Sequence, residues 1–405
     1  MNIILVTIAY PPEIRSISTM TKELAEELVK RGHQVTVLTS WPKYNLSGEA
    51  EGKRFNADSM ENGVRVIRIK TLPHHKVNYL LRGVAQITLP FFFMRSFKKL
   101  VKDKVDAVVV YSPHLPLAQV GARIKRMYGV RYLLNIQDIF PQNAVDLGIL
   151  KNRLIIKFFE RMERKAYSEA DAITTHTVGG RQFLIERKGV PSHKIKVVEN
   201  WIDVGPYLRM RASGIFRARY GLAGKFIFLF PGVFGPAQNL DFIVAIAKRV
   251  SGIHEMCFLF VGDGTDKIRL QEQVRAHGLR NVIFQPFVSS EEYPLLVKEV
   301  NVGLLSLGGD NKTAAVPGKL LSYMAASLPV VAFLNKESEG HRIINDAQCG
   351  YAIIPDDVER AAHLICDVFK NRGQLDELGR NGYDYVTKHF SKQACINALE
   401  RLICV

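Results

Sequence analysis

The sequence predicts an α/β chain of two Rossmann-like, doubly wound domains. Short apolar runs alternate with amphipathic stretches along all 405 residues, the pattern of strand–helix–strand units in parallel sheets. The alternation pauses after Asn200 and restarts at Phe226-Ile-Phe-Leu-Phe, so two sheets are expected. The length exceeds one usual core, and 47% hydrophobic residues can fill two. Two such domains would face a central cleft.

Asn2 to Ile8 is a continuous apolar run, as a strand covered on both faces requires. A Tyr-Pro-Pro loop follows, then a helix over about Thr19–Arg31 with Leu24, Ala25 and Leu28 on one face. Gly32 ends it, and His33 to Thr39 is the next strand. The loop after the first strand lies at the carboxyl edge, where such sheets bind ligands. Further strands are expected at Gly63–Ile69, Val105–Tyr111, Tyr132–Ile136, Ala172–Thr175 and Ile195–Asn200. In the second half they are expected at Phe226–Phe230, Met256–Val261, Asn281–Phe284, Val302–Ser306 and Pro329–Phe333. Gly205-Pro206 punctuates the chain between the halves. The expected domains are 1–204 and 205–385, with 386–405 a terminal helix returning to the first.

Composition narrows the chemistry. The five cysteines are scattered with no C-x-x-C pair, which argues against a zinc ribbon or a disulfide framework and fits a reducing compartment. Met1 to Tyr10 lacks a basic lead and a small-residue cleavage site, and no apolar run reaches the ~20 residues that cross a bilayer. A cytoplasmic protein is expected. The net charge of +16 suits nucleic acid, an anionic membrane or a phosphorylated substrate. Without an aromatic RNP stretch or paired zinc ligands, nucleic acid is not an expected partner.

Asn78 to Lys104 is apolar and aromatic, with Phe91-Phe92-Phe93-Met94 at its centre. Arg82, Arg95, Lys98, Lys99, Lys102 and Lys104 outnumber the single acid Asp103. Such a segment suits the plane of an anionic membrane surface; the alternative is a buried helix pair with a solvated basic end.

The stretch from Asn311 to Phe333 carries the clearest chemical signal. A polar lead-in from Gly308 to Thr313 precedes a short helix opening near Pro317, then a buried strand. The first-turn N–H groups and the helix dipole favour an anion. Gly318 permits close approach to the backbone, and Lys319 adds a full charge. Together they make a seat for a phosphate or diphosphate, or else an ordinary helix start with a solvated lysine.

Five motifs then carry a resemblance. Gly232-Val-Phe-Gly-Pro-Ala-Gln-Asn-Leu-Asp241, Val261-Gly-Asp-Gly264, Val316-Pro-Gly-Lys-Leu-Leu-Ser-Tyr-Met-Ala325, Gln137-Asp-Ile-Phe-Pro141 and Glu199-Asn-Trp-Ile-Asp203 resemble, in order, motifs of the retaining GT-B glycosyltransferases of family 4. Leu24 to Thr39 also follows the family's first helix and second strand. The likeness is narrower still to the bacterial surface-polysaccharide branch, the WbuB-like N-acetylfucosamine transferases. It implies a GT-B fold and transfer from a UDP-sugar, an N-acetylated hexosamine or 6-deoxyhexosamine, to a polyprenyl-diphosphate-linked saccharide. Retention of configuration, no cofactor and no metal are implied as well, and the chain has no Asp-x-Asp. A peripheral place on the inner face of the cytoplasmic membrane follows from that acceptor.

On the donor side the resemblance implies Gly232, Gly235, Gln238, Asn239, Gly262, Gly264, Phe287, Pro317, Gly318, Lys319, Ser322 and Glu339. Lys319 and Asp138 are the candidate catalytic groups; Asp138 alternatively caps a helix, and Glu339 either binds sugar hydroxyls or caps the helix it starts. Departures from the pattern are informative. The family's Arg and Lys in the first loop of the second domain are Val233 and Gln238 here, and its two glutamates are Ala314 and Ser322. The family's Gly-Gly after the first strand is Arg15-Ser16, which offers Arg15 to a phosphate on the acceptor side. Competing readings are another GT-B enzyme, such as a nucleotide-sugar epimerase, and a non-catalytic basic membrane-binding protein.

Overall fold

The computed structural model describes residues 1–13, 15–43, 46, 54–73, 79–112, 114–146, 148–308 and 316–404, with backbone alone at 79, 80 and 82. The chain forms two compact units, Met1–Asn200 together with Cys395–Val405, and Trp201–Ala394.

Unit 1 is built on an eight-stranded sheet in the order β3-β4-β2-β1-β5-β6-β7-β8. The strands are β1 Asn2–Val6, β2 Gln34–Ser40, β3 Asp58–Glu61, β4 Val64–Ile69, β5 Ala107–Ser112, β6 Arg131–Ile136, β7 Ala172–Thr175 and β8 Ile195–Val197. Ile3 pairs in parallel with Val35 on one side and Ala107 on the other. Every residue of β5 is buried, which is why the central strands read as unbroken apolar runs. The helices are α1 Ser16–Lys30, α2 Tyr79–Leu100, α3 Ala118–Tyr128, α4 Gln142–Asp146, α5 Arg153–Glu169 and α6 Val178–Glu186.

The edge strand β3 is antiparallel to β4 and was not expected. Asn62 (φ 49°) and Gly63 (φ 81°) both take left-handed backbone, the requirement of a type I′ two-residue hairpin. The Asn-Gly pair was the available signal.

Helix α2 corrects the reading of 78–104 as a wholly interfacial segment; Asn78 itself lies outside the described residues. Leu89, Phe93, Met94 and Phe97 are buried in the unit 1 core and Phe92 packs against it; Ala85 is buried as well. Leu81, Val84, Ile87 and Phe91 are exposed instead. The apolar residues thus divide between two faces of one helix. No helix among the described residues is long and apolar enough to cross a membrane.

Unit 2 holds a six-stranded parallel sheet in the order β11-β10-β9-β12-β13-β14. Its strands are β9 Phe226–Val233, β10 Met256–Asp263, β11 Val282–Gln285, β12 Val302–Ser306, β13 Val330–Phe333 and β14 Gly350–Ile353. The helices are α7 Gly205–Arg209, α8 Ile215–Arg219, α9 Leu240–Arg249, α10 Lys267–Ala276, α11 Tyr293–Lys298, α12 Gly318–Ala325, α13 Gly340–Ala347, α14 Val358–Lys370 and α15 Leu375–His389; α16 Lys392–Ile403 begins in unit 2 and belongs to unit 1 from Cys395 onward. One core on each face covers the sheet. Gly205-Pro206 opens α7, so the unit break falls a few residues earlier, between Asn200 and Trp201.

Candidate functional site

The loops at the carboxyl edge of the unit 2 sheet converge on a cavity of about 470 Å³, a size that suits a small-molecule ligand. Tyr207, Gly232, Phe287, Tyr293, Lys319 and Ser322 line it. Strands β9 and β10 deliver two glycine-containing turns that touch. A Cβ on Gly262 would stand 1.9 Å from the Gly232 carbonyl oxygen, and one on Gly232 (φ 118°) would stand 2.9 Å from Lys319 Cε. Glycine at both positions lets the strand ends close on the lysine. Gly264 closes the second turn, its N–H donating to Asp263 Oδ1 at 2.8 Å.

Gly235 precedes the single turn Pro236–Gln238, and Asn239 follows with left-handed backbone (φ 46°). Gly308 N–H donates to the Ala237 carbonyl at 2.9 Å, which ties the loop after β12 to this turn. The polar lead-in 309–315, with Ala314, lies outside the described residues. Pro317 is the N-cap of α12 in extended backbone and Gly318 its first helical residue. A proline side chain has no acceptor to cap the first turn. Among the described residues, no atom beyond its chain neighbours and its own helix backbone lies within 4 Å of a Cβ built on Gly318.

Lys319 reaches under this turn. Its Nζ donates to Gln238 Oε1 at 3.0 Å and lies 4.1 Å from the centre of the Phe230 ring. Among the described residues no carboxylate pairs with it. Burial pushes its ammonium down to about 8, because the charge has lost water and gained only an amide oxygen and a ring face. An anion placed against it would restore the charge. Gln238 and Lys319, separate candidates in the sequence, are therefore one hydrogen-bonded pair.

Ser322, one turn further along α12, meets two phenols. Tyr207 and Tyr293 both interact with its hydroxyl, and burial raises both phenols. The three hydroxyls form a neutral polar wall where the resemblance would place a carboxylate. Nothing in the sequence marked the tyrosines, which reach Ser322 from α7 and the start of α11. Phe287 is exposed at the cavity mouth. Glu339 sits just ahead of α13, its carboxylate 2.9 Å from Arg342 Nε. Gly340 beside it approaches Pro317 Cδ, so Glu339 borders the α12 start without lining the cavity.

The remaining candidates belong to unit 1. Asp138 follows β6 at the carboxyl edge of that sheet. Crowding raises its carboxyl and nearby His176 opposes the rise, but the side chain is exposed, and water limits the push. Among the described residues its carboxylate makes no hydrogen bond that would cap a helix. Gln137 beside it is fixed between Asn135 and Asn200, at 2.7 Å each. Arg15 is the N-cap of α1, with Ser16 exposed as its first residue. Arg15 Nε lies 3.6 Å from Glu13 Oε2, so part of its charge is already answered within the unit.

Residues 16–201 match the glycosyl transferase 4-like domain, and residues 215–385 match the glycosyl transferases group 1. The chain is 26% identical over 334 residues to the putative colanic acid biosynthesis glycosyl transferase WcaI of Escherichia coli K12, covering 80% of this chain and 81% of that one. It is 27% identical over 308 residues to the probable glycosyltransferase WbjE of Pseudomonas aeruginosa, covering 73% and 74%. Two solved structures share the fold at low identity. Sucrose-phosphate synthase from Thermosynechococcus elongatus has a TM-score of 0.75 at 14% identity, over 99% of this chain and 98% of that one. Anabaena HepE, crystallised with UDP, has a TM-score of 0.72 at 15% identity, over 99% of both. The fold is GT-B, with two Rossmann-like units, and the chain is a glycosyltransferase built from a 4-like and a group 1 domain.

Proposed function

We propose that this glycosyltransferase takes a sugar from a UDP-sugar and passes it to a polyprenyl-diphosphate-linked saccharide during assembly of a bacterial surface polysaccharide. The sugar is read as an N-acetylated hexosamine or 6-deoxyhexosamine, in keeping with the WbuB-like motifs. The observation that carries the donor half is Lys319: a buried ammonium beside the start of α12, in a cavity otherwise lined by hydroxyls, glycine and apolar or aromatic carbon. A diphosphate supplies the charge this lysine lacks.

In the reaction the bond from the anomeric carbon to the diphosphate breaks, and negative charge grows on the departing oxygen. Lys319 and the first-turn N–H groups of α12 meet that charge, which is the largest help a fixed site can give. The hydroxyls of Ser322, Tyr207 and Tyr293 are assigned to the ribose, Phe287 to the cavity mouth and Glu339 to the sugar hydroxyls. Asp138 is assigned to the sugar or the acceptor hydroxyl, and Arg15 with Ser16 to the acceptor diphosphate. An organic cation at the diphosphate seat, in a chain with no Asp-x-Asp, supports transfer without a metal. Retention is read from the family motifs. UDP in the HepE structure and the colanic acid assignment of WcaI agree with this donor and this pathway class.

The exposed stripe of Leu81, Val84, Ile87 and Phe91 on α2, with Arg95, Lys98 and Lys99 beyond it, supports docking on the inner face of the cytoplasmic membrane, where such an acceptor resides. The test is transfer itself. Purified protein is offered a panel of UDP-sugars and undecaprenyl-diphosphate-linked acceptors, and products are read by mass spectrometry. A mass gain of one N-acetylated sugar on the lipid is expected. Transfer only to a soluble acceptor, or only from GDP- or ADP-sugars, would overturn the assignment.

A further inference from the structure

The first two turns of α5 expose apolar side chains that the transfer reaction does not use. Leu154 is 78% exposed and Phe158 49%; Ile155 and, ahead of the helix, Ile149 are exposed too. These side chains stand on a well-anchored turn. Asn152 caps it, its side-chain oxygen accepting from Leu154 N–H and Ile155 N–H at 2.9 and 3.2 Å. They lie outside the core: α5 buries Phe159, Glu163, Ala166 and Tyr167, and Phe158 touches it only through the edge of its ring on Phe159, 5.3 Å between centroids.

The surrounding charge is one-sided. Between 149 and 165 the cations are Lys151, Arg153, Lys157, Arg161, Arg164 and Lys165, against Glu160 and Glu163. Glu163 is buried and bound to Lys188 at 3.0 Å, so it offsets little of that surface charge. Leu154 and Phe158 lie one turn apart, and Arg161 and Lys165 continue the same stripe.

Topology places this patch in company. Helix α2 leads from β4 to β5, and α5 leads back from the carboxyl end of β6 to the start of β7. Each therefore begins at the carboxyl edge of the unit 1 sheet. Both pack against the turn Leu115–Leu117, so they flank it on one face. The exposed apolar residues occupy the first two turns of α5 and run from Leu81 to Phe91 on α2, and cations follow in both.

We propose that the first two turns of α5 are a membrane foot. Leu154, Ile155 and Phe158 enter the headgroup–acyl boundary of an anionic lipid surface, and the flanking cations lie over its headgroups. Apolar side chains ringed by six cations, with Glu163 withdrawn into the core and Glu160 left as the one acid outside it, complement an anionic lipid surface. This inference deepens the membrane reading given above and rests on it.

Vesicle co-sedimentation, with phosphatidylcholine alone and with added phosphatidylglycerol, tests it on the full chain. The variants are Leu154→Ser/Phe158→Ser, Lys157→Glu/Arg161→Glu and, on α2, Val84→Ser/Phe91→Ser. Wild type is expected to bind only the anionic vesicles, less as salt rises. Each α5 variant is expected to lose about tenfold or more in partition, with its thermal midpoint and UDP affinity unchanged. If the α5 variants partition like wild type while the α2 variant is released, the α5 foot is wrong and the membrane reading stands. If wild type ignores the vesicles yet binds UDP, both fall and the transferase assignment survives. A wild-type dimer that Leu154→Ser/Phe158→Ser splits, with no vesicle binding, would give this face to a second copy and overturn the proposal.

Discussion

Lys319 carries two opposing demands. With its charge buried against Gln238 and Phe230, it is a liability to the unliganded fold. Lys319→Met should therefore raise the denaturant midpoint while abolishing nucleotide binding, a trade seen where strain is kept for function. Lys319→Ala should lower kcat/KM by roughly two orders of magnitude, the cost of one contact to charge that develops in the transition state; near-normal turnover would remove the lysine from the mechanism. The residue was legible in the sequence because glycine, lysine and a helix start stand side by side there. Its partners were less so. Phe230 reads only as core strand, and Tyr207 and Tyr293 meet Ser322 from elements far apart in the chain. Resemblance alone suggested Gln238 would replace a cation; the structure shows it holding one.

At the scale of elements, two glycines invite opposite expectations. A methyl on Gly262 would collide with the Gly232 carbonyl where β9 and β10 end together. Gly262→Ala should cost roughly 1–3 kcal/mol, as overpacking of a tight site does, and loosen the cavity with it. Among the described residues nothing crowds a methyl on Gly318. Gly318→Ala should leave stability unchanged or slightly higher, since alanine is the better helix former, yet weaken UDP binding if phosphate approaches that backbone. Urea unfolding with UDP calorimetry separates the two; a stable Gly318→Ala with wild-type affinity would move the phosphate elsewhere. Most strands were legible because parallel sheets bury them on both faces. The edge strand β3 was not, because only its turn, Asn62-Gly63, carries a signal. The double face of α2 was hidden because hydropathy does not say which of Phe91, Phe92 and Phe93 points inward.

For the molecule as a whole, the terminal segment closes unit 1. Glu400 on α16 binds His33 Nε2 at 2.9 Å and also Arg31, and Arg131 Nε donates to the Leu402 carbonyl at 2.7 Å. The hydrogen bond from His33, then those from Arg31, hold the Glu400 carboxyl below its ordinary value. A depressed carboxylate contributes stability that is present above the unfolded value and lost as pH falls through the folded one. Glu400→Gln should therefore lower the unfolding free energy at neutral pH by on the order of 1 kcal/mol, a modest figure because the partly exposed pair is screened by water, and lower the thermal midpoint with it. That gap should close in acid; a gap independent of pH would mean the carboxylate charge is not what holds α16. The restart of strand alternation made both sheets legible, and a terminal segment returning to the first domain was expected over 386–405; the structure gives 395–405 to unit 1 and leaves 386–394 in unit 2, a division that depends on contacts across the length of the chain.

The central claim is that Lys319 awaits a nucleoside diphosphate, and calorimetry near pH 8 tests it most directly. The lysine is held down to about 8, so part of the unliganded population is neutral there and must take up a proton when the diphosphate arrives. UDP titrated into wild type in two buffers of different ionisation enthalpy should show that uptake, and Lys319→Met should show neither the uptake nor tight binding. UDP that binds wild type and Lys319→Met equally, with no proton exchanged in either, would contradict the account.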